Sequence, residues 1–481
     1  MGKSKDGIYW LNTAVTLLLM FGIGYLEPWG SLEPLGMKVL GIFLGMLWGW
    51  TTIGFVWPSM LGLLALGLSG YQSVSAAIGA GFGATNNTVL CIFLFVFAAY
   101  MDRIGLSRII ANWFISRKIT VGRPYVFSFM VFLAAYVLGA TVSLFTGILL
   151  LWSIFYSACE TLGYGKGEKY PTIMLVGIVY SAMLGFAVFP FKATQVMVLG
   201  SLATVSGGMT IDFMDFTVLT FAITVFCLAV YMGLMKFVLR PDVSNFEGKG
   251  DMFAELRHIQ MSGEQKIAGF FLILFMFAMF APSILPKEFF LTQFFNKLGI
   301  TGSLMFVMVL MAMLKIRGKI SFNFADAAKS GMNWDMILLF AATMPVSAAM
   351  SSEETGVIKF IVELLEPLFT HFSGLTFCIA FIIVAGVLTQ IAHNLVLAAL
   401  LTPVLYQFCL QLGGNPLLMT VLFAFAIAVA IATPGGSAPG ALIYTNDWIK
   451  IKDAYKYGAL AAAISIIASL VVGLPLGSII F

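Results

Sequence analysis

Apolar segments long enough to cross a bilayer recur along the whole 481-residue chain, and this limits the fold before any motif is read. They fall at roughly 8–28, 36–50, 54–70, 82–100, 124–142, 146–162, 170–204, 214–235, 266–284, 299–314, 333–350, 374–390, 394–411, 416–447 and 455–480. Backbone groups in a hydrocarbon phase must be satisfied within the chain, so runs of this length are helices. Only 10% of the residues are charged, where a soluble domain carries about 25%. The expectation is an all-α polytopic membrane protein. The net charge of +4 is spread over short loops with no basic domain, which excludes a nucleic-acid partner. Cys91, Cys159, Cys227, Cys378 and Cys409 all lie in apolar segments without metal-ligand spacing and read as buried small hydrophobes. No HExxH or GxSxG motif is present, and no carboxylate pair lies at matched membrane depth, so an intramembrane enzyme is not expected.

The basic residues orient the spans. Residues 1–35 read as a retained extra helix, because the apolar core is long and no small-residue cleavage site follows it. With the N-terminus cytoplasmic, and with 124–162 and 374–411 each returning to its own side, the inside loops hold 21 of the 26 Lys and Arg residues. Lys38, Lys287, Lys297 and Lys359 fall outside, and Lys192 lies within the membrane. This asymmetry fits the positive-inside rule and places the C-terminus outside, in a multi-pass cell-membrane protein. The stretch "MDRIGLSRIIANWFISRK" reads as an amphipathic helix on the cytoplasmic surface, and "SSEETG" at 351–356 as a solvated outer loop.

Two returning segments carry polar tips, "GATVSLFTG" and "QIAHNLVL", so each is either two short spans or a re-entrant helical hairpin. Each is followed by an apolar segment broken at a proline, at Pro190 within 170–204 and at Pro434 within 416–447. The first hairpin opens to the inside and the second to the outside. The reading is therefore two inverted repeats, 36–239 and 266–481, joined by a cytoplasmic linker at 240–265. A helix interrupted in mid-membrane leaves free N–H groups that attract anions and free C=O groups that hold cations. Lys192 stands in the first break, where helix-centre placement of a lysine costs about 2.5–3.5 kcal/mol on insertion scales. Such a residue faces a cavity. His393 at the second tip suits anion binding, proton carriage or the capping of a buried carbonyl, and Asn394 offers an amide donor and acceptor. Ser143 and Thr146 offer hydroxyls at the first tip. The expected pocket lacks an arginine, so bidentate carboxylate capture is not expected.

At these four motifs the chain resembles the divalent anion/sodium symporter family of the ion-transporter superfamily, over roughly 36–481. In that family the hairpin tips carry Ser-Asn-Thr and the broken helices carry a Thr-Pro-x-Gly-Thr-Pro-Pro-Asn-like loop. The second loop matches at Thr433, Pro434, Gly436, Ser437 and Pro439. The second tip keeps Asn394, with His393 and Leu395 beside it. Val142-Ser143-Leu144 stands at the first tip, and Lys192 takes the glycine position of the first loop. The resemblance implies a homodimer in membrane lipid whose transport domain moves like an elevator, with a small organic anion, a di- or tricarboxylate, as substrate. It implies substrate contacts from Ser143, Thr146, Lys192, Ala193, Thr194, His393, Asn394, Ser437, Ala438 and Pro439. A sodium ion is the one candidate cofactor, placed by Asn394, Thr433, Gly435 and Gly436, with Lys192 as a cation surrogate. With that ammonium built in, the expected mode is sodium-independent anion exchange. Sodium-coupled dicarboxylate symport is the alternative, and an anion channel a third reading.

Overall fold

The computed structural model describes every residue except 1, 85–86, 248–250, 252, 317–318, 321 and 370–371. Residues 248–250 and 252 of the expected linker therefore lie outside the described residues. Among the described residues, eleven helices are long and apolar enough to cross a membrane. One short antiparallel pairing, Lys315–Ile316 with Lys319–Ile320, accompanies them. The all-helical expectation holds.

Local chemistry sets the helix ends. The first hairpin runs Pro124–Thr141 and Leu144–Leu162. Proline at the first helical position has no N–H to leave orphaned. Val142 and Ser143 leave the helical region, and the Ser143 hydroxyl accepts from the Thr146 N–H at 3.3 Å to start the next helix. The second hairpin runs Gly374–Leu388 and Asn394–Gln411, opened by a capping box between Ser373 and Thr376 and restarted at His393, whose Nδ1 accepts from the Leu395 N–H.

The first broken helix is Lys169–Val188 followed by Ala193–Val205. It is the centre of the molecule. In its most apolar stretch 89% of positions are buried, against 17% for the N-terminal helix Asp6–Tyr25, which lies at the periphery. Its fit to the first hairpin depends on glycine. A Cβ at Gly139 would fall 2.0 Å from the Ala182 carbonyl, and one at Gly185 would fall 1.9 Å from that of Tyr136. Small residues at such crossings let membrane helices approach backbone to backbone.

The second broken helix is Pro416–Ala428, then an extended stretch, then Ala438–Tyr444. The break opens at Val429, five residues ahead of Pro434. Several of its backbone groups are nevertheless satisfied. The Ile427 carbonyl accepts from Thr389, that of Val429 from Gln390 and that of Ala430 from Ser437, while the Ile431 and Ala432 N–H groups donate to Gln390. Thr389 and Gln390 of the neighbouring hairpin, with Ser437 of the break itself, thus take the place of part of the helical ladder where the stretch unwinds ahead of the proline.

The order of hairpin, broken helix and long helix occurs twice, the last members being Phe213–Gly233 and Ile451–Ala468. The helix Leu106–Ile115 follows a left-handed turn at Gly105, as an amphipathic surface helix after the Asn87–Arg103 span should. The five cysteines are free and buried. In the 351–356 loop the Thr355 side chain is buried, its hydroxyl donating to the Ala349 carbonyl, so that part of the loop is packed rather than solvated.

Candidate functional site

Both hairpin tips and both helix breaks meet at one cavity of about 670 Å³. Ser143, Thr146, Lys192, Ala193, Thr194, His393, Asn394, Ser437, Ala438 and Pro439 all line it. The chain brings together residues separated by nearly 300 positions, the second tip contacting the first break through Asn394 and the second through Gln390. The two halves touch directly there: the Asn394 amide donates to the Thr194 hydroxyl at 3.4 Å. Ser437 caps the last helical segment through the Gly440 N–H at 3.1 Å and donates to the Ala430 carbonyl at 2.6 Å.

Lys192 is the N-cap of Ala193–Val205, and its backbone is extended. Its Nζ lies 5.7 Å from the centroid of the Phe191 ring and 6.0 Å from that of Phe186. Aromatic faces at this range stabilise a cation without neutralising it. Among the described residues Lys192 forms no ion pair. His393 stacks edge-on against Phe55, with 5.0 Å between ring centroids.

Thr433, Gly435 and Gly436 do not line the cavity. They pack behind it on the second tip. The Thr433 hydroxyl donates to the Gln390 carbonyl, and a Cβ at Gly436 would fall 2.5 Å from the Thr389 carbonyl, so only glycine fits.

Two cavity residues run against expectation. Asp102 and Arg103 end the Asn87–Arg103 helix and line the cavity. Hydropathy assigned them to a cytoplasmic loop, but the helix continues one turn past its apolar stretch and carries them inward. An arginine therefore does reach the pocket, which corrects the expectation from the motifs alone. Arg103 approaches Asp326 at 3.9 Å, with both side chains about half exposed. The Asp102 carboxylate accepts from Ser107 at 2.5 Å and from Thr146 of the first tip at 2.8 Å. It also lies within electrostatic reach of Lys192. The site thus offers an ammonium, a guanidinium, hydroxyls and an amide to an anion, with one carboxylate opposing them. Among the described residues no cluster of three or more His, Cys, Asp or Glu is placed to hold a metal ion.

The family model described as the sodium:sulfate symporter transmembrane region matches residues 9–481. The chain belongs to this divalent anion/sodium symporter family. A sodium-dependent dicarboxylate transporter of Staphylococcus saprophyticus is 24% identical over 477 residues, covering 95% of this chain and 89% of that protein. An uncharacterised transporter of Synechocystis is 27% identical over 138 residues, which is 29% of this chain and 22% of that protein. Among solved structures, the YdaH transporter of Alcanivorax borkumensis superposes with a TM-score of 0.64 at 13% identity, covering 98% of both chains. MtrF of Neisseria gonorrhoeae gives 0.58 at 12% identity, covering 97% of this chain and 94% of that one. Those two likenesses concern the fold alone. As a family member with eleven helices of spanning length among the described residues, the protein is a multi-pass membrane transporter.

Proposed function

We propose that the protein exchanges small organic anions, di- or tricarboxylates, across the cell membrane without sodium. One observation carries the reading: an ammonium that forms no ion pair among the described residues stands in a cavity built from four interrupted helical elements. Lys192 serves as the fixed counter-charge, with Ser143, Thr146, Thr194, His393, Asn394 and Ser437 fixing the orientation of the bound anion. The named substrate of the Staphylococcus relative supports dicarboxylates. In this reading the two repeats are inverted and the hairpins are re-entrant. Together with the broken helices they form a transport domain that moves as an elevator in a homodimer. The N-terminus is cytoplasmic and the C-terminus extracellular.

Exchange follows from the fixed charge. A symporter releases its sodium and returns with an empty site, whereas a carrier with a built-in ammonium returns with that cation uncovered unless an anion's carboxylate rides against it. A second reading, sodium-coupled symport with Asn394 and the Gly435–Pro439 loop holding one ion, is favoured by the sodium dependence in the relatives' names. A thermal-shift screen of the purified protein over di- and tricarboxylates and sulfate, with sodium or choline, tests the reading. Carboxylate stabilisation of equal size in both salts is expected. Stabilisation that appears only with sodium would favour symport.

A further inference from the structure

Gln390 lies in the turn of the second hairpin, 8% exposed, and its carboxamide is saturated. The Nε2 group donates to the carbonyls of Gly386 and Val429, each at 2.9 Å. The Oε1 atom accepts from the N–H groups of Ile431 and Ala432, each also at 2.9 Å. The surroundings fix the orientation of the amide, since only an NH2 meets two carbonyls and only an oxygen meets two N–H groups. The Gln390 backbone carbonyl accepts from the Thr433 hydroxyl. One residue thus ties the hairpin tip to the unwound stretch 429–433.

Unwound carbonyls beside a helix C-terminus are the groups that transporters use to coordinate a monovalent cation. Here the Val429 carbonyl and the Gly386 carbonyl, near the end of Gly374–Leu388, both point at an NH2. We infer that the Gln390 amide occupies the place of a coordinated monovalent cation, so that this loop is closed by the chain itself and takes up no exchangeable ion. The proposed exchange mode gives this inference its functional meaning. Its structural content stands on the hydrogen bonds of Gln390 and is independent of Lys192.

Gln390→Glu separates the alternatives. A carboxylate keeps the acceptor for Ile431 and Ala432 but turns a second oxygen toward the Gly386 and Val429 carbonyls. Three oxygens then face one another and require a cation between them. The full-length wild type, Gln390→Glu and Gln390→Met are compared by thermal unfolding at pH 8 in sodium chloride and in choline chloride of equal ionic strength. The wild type is expected to unfold at the same temperature in both salts. Gln390→Glu should be lowered in choline and recover in sodium, rising with the logarithm of sodium concentration once the site saturates. Gln390→Met should be lowered equally in both. A Gln390→Glu protein indifferent to sodium, or a wild type with the same sodium-dependent rise, would overturn the inference.

Hydrogen exchange of wild-type residues 429–433 reads the same point without a variant. Equal protection in the two salts is expected, and protection that requires sodium would overturn the role of Gln390. A strict sodium requirement for wild-type transport, with salt-independent protection of 429–433, would remove the exchange reading and leave the Gln390 assignment standing.

Discussion

Replacing Lys192 with methionine keeps an apolar stem of similar reach and deletes the charge. The structure leaves that charge without a direct ion-pair partner among the described residues. Asp102 is within electrostatic reach but makes no ion pair with Lys192, and Ser107 and Thr146 already engage its oxygens. An uncompensated ammonium at membrane depth costs about 2.5–3.5 kcal/mol. At about 1.4 kcal/mol per decade, return of the empty carrier should be at most roughly 60- to 300-fold slower than return with the ammonium covered by a carboxylate. In proteoliposomes loaded with labelled dicarboxylate, wild-type efflux should therefore accelerate by about that ratio when unlabelled anion is added outside. In Lys192→Met the ratio should fall to one or below, because the empty carrier no longer exposes that cation and the bound anion loses its counter-charge. Anion affinity should fall as well. A hydrogen bond to a charged partner is worth about 1.5–3 kcal/mol, roughly 10- to 150-fold in apparent affinity. An exchange-to-efflux ratio unchanged by the substitution would refute the reasoning, even if affinity fell as expected.

Further variants test other parts of the site. Asp102→Asn removes the one carboxylate among the cavity-lining residues and keeps an acceptor for Thr146. Charge repulsion over about 8–16 Å at an effective dielectric constant of about 20 is roughly 1–2 kcal/mol, so anion affinity by titration should rise about 5- to 30-fold. A fall would mean that Asp102 serves the substrate instead of opposing it. Ser437→Ala loses the cap to the Gly440 N–H and the bond to the Ala430 carbonyl, and should lower unfolding stability by about 1–2 kcal/mol; an unchanged Tm would contradict the capping role. Gly139→Val forces side-chain atoms into the Ala182 carbonyl and should cost at least ~1–3 kcal/mol, seen as lost monodisperse protein in size-exclusion chromatography. Normal yield and Tm would mean that the hairpin does not pack there as described.

Hydropathy was enough to show an all-helical membrane chain and to mark the polar tips and prolines where its helices are interrupted, because a polar tip inside an apolar pair survives at membrane depth only where protein buries it or it lines a cavity. Residues near those interruptions converge on one cavity, as a fold that buries its irregular backbone requires. Asp102 and Arg103 were not legible, since a charged pair at the end of an apolar run looks like a loop until the helix is seen to extend past it. Gln390 escaped because its partners at 429, 431 and 432 lie about forty residues away. Nothing in the local pattern of "LTQIAHNLVL" says that its amide replaces a helical ladder. The early opening of the second break at Val429 follows from that same contact and could not be placed from Pro434 alone.

A lysine in the role of a mobile cation is the central claim. Counterflow of labelled dicarboxylate in proteoliposomes, with every sodium ion replaced by choline on both sides, tests this most directly. The same initial rate in choline as in sodium is predicted for the wild-type protein. Counterflow that is absent in choline and returns on adding sodium would contradict it.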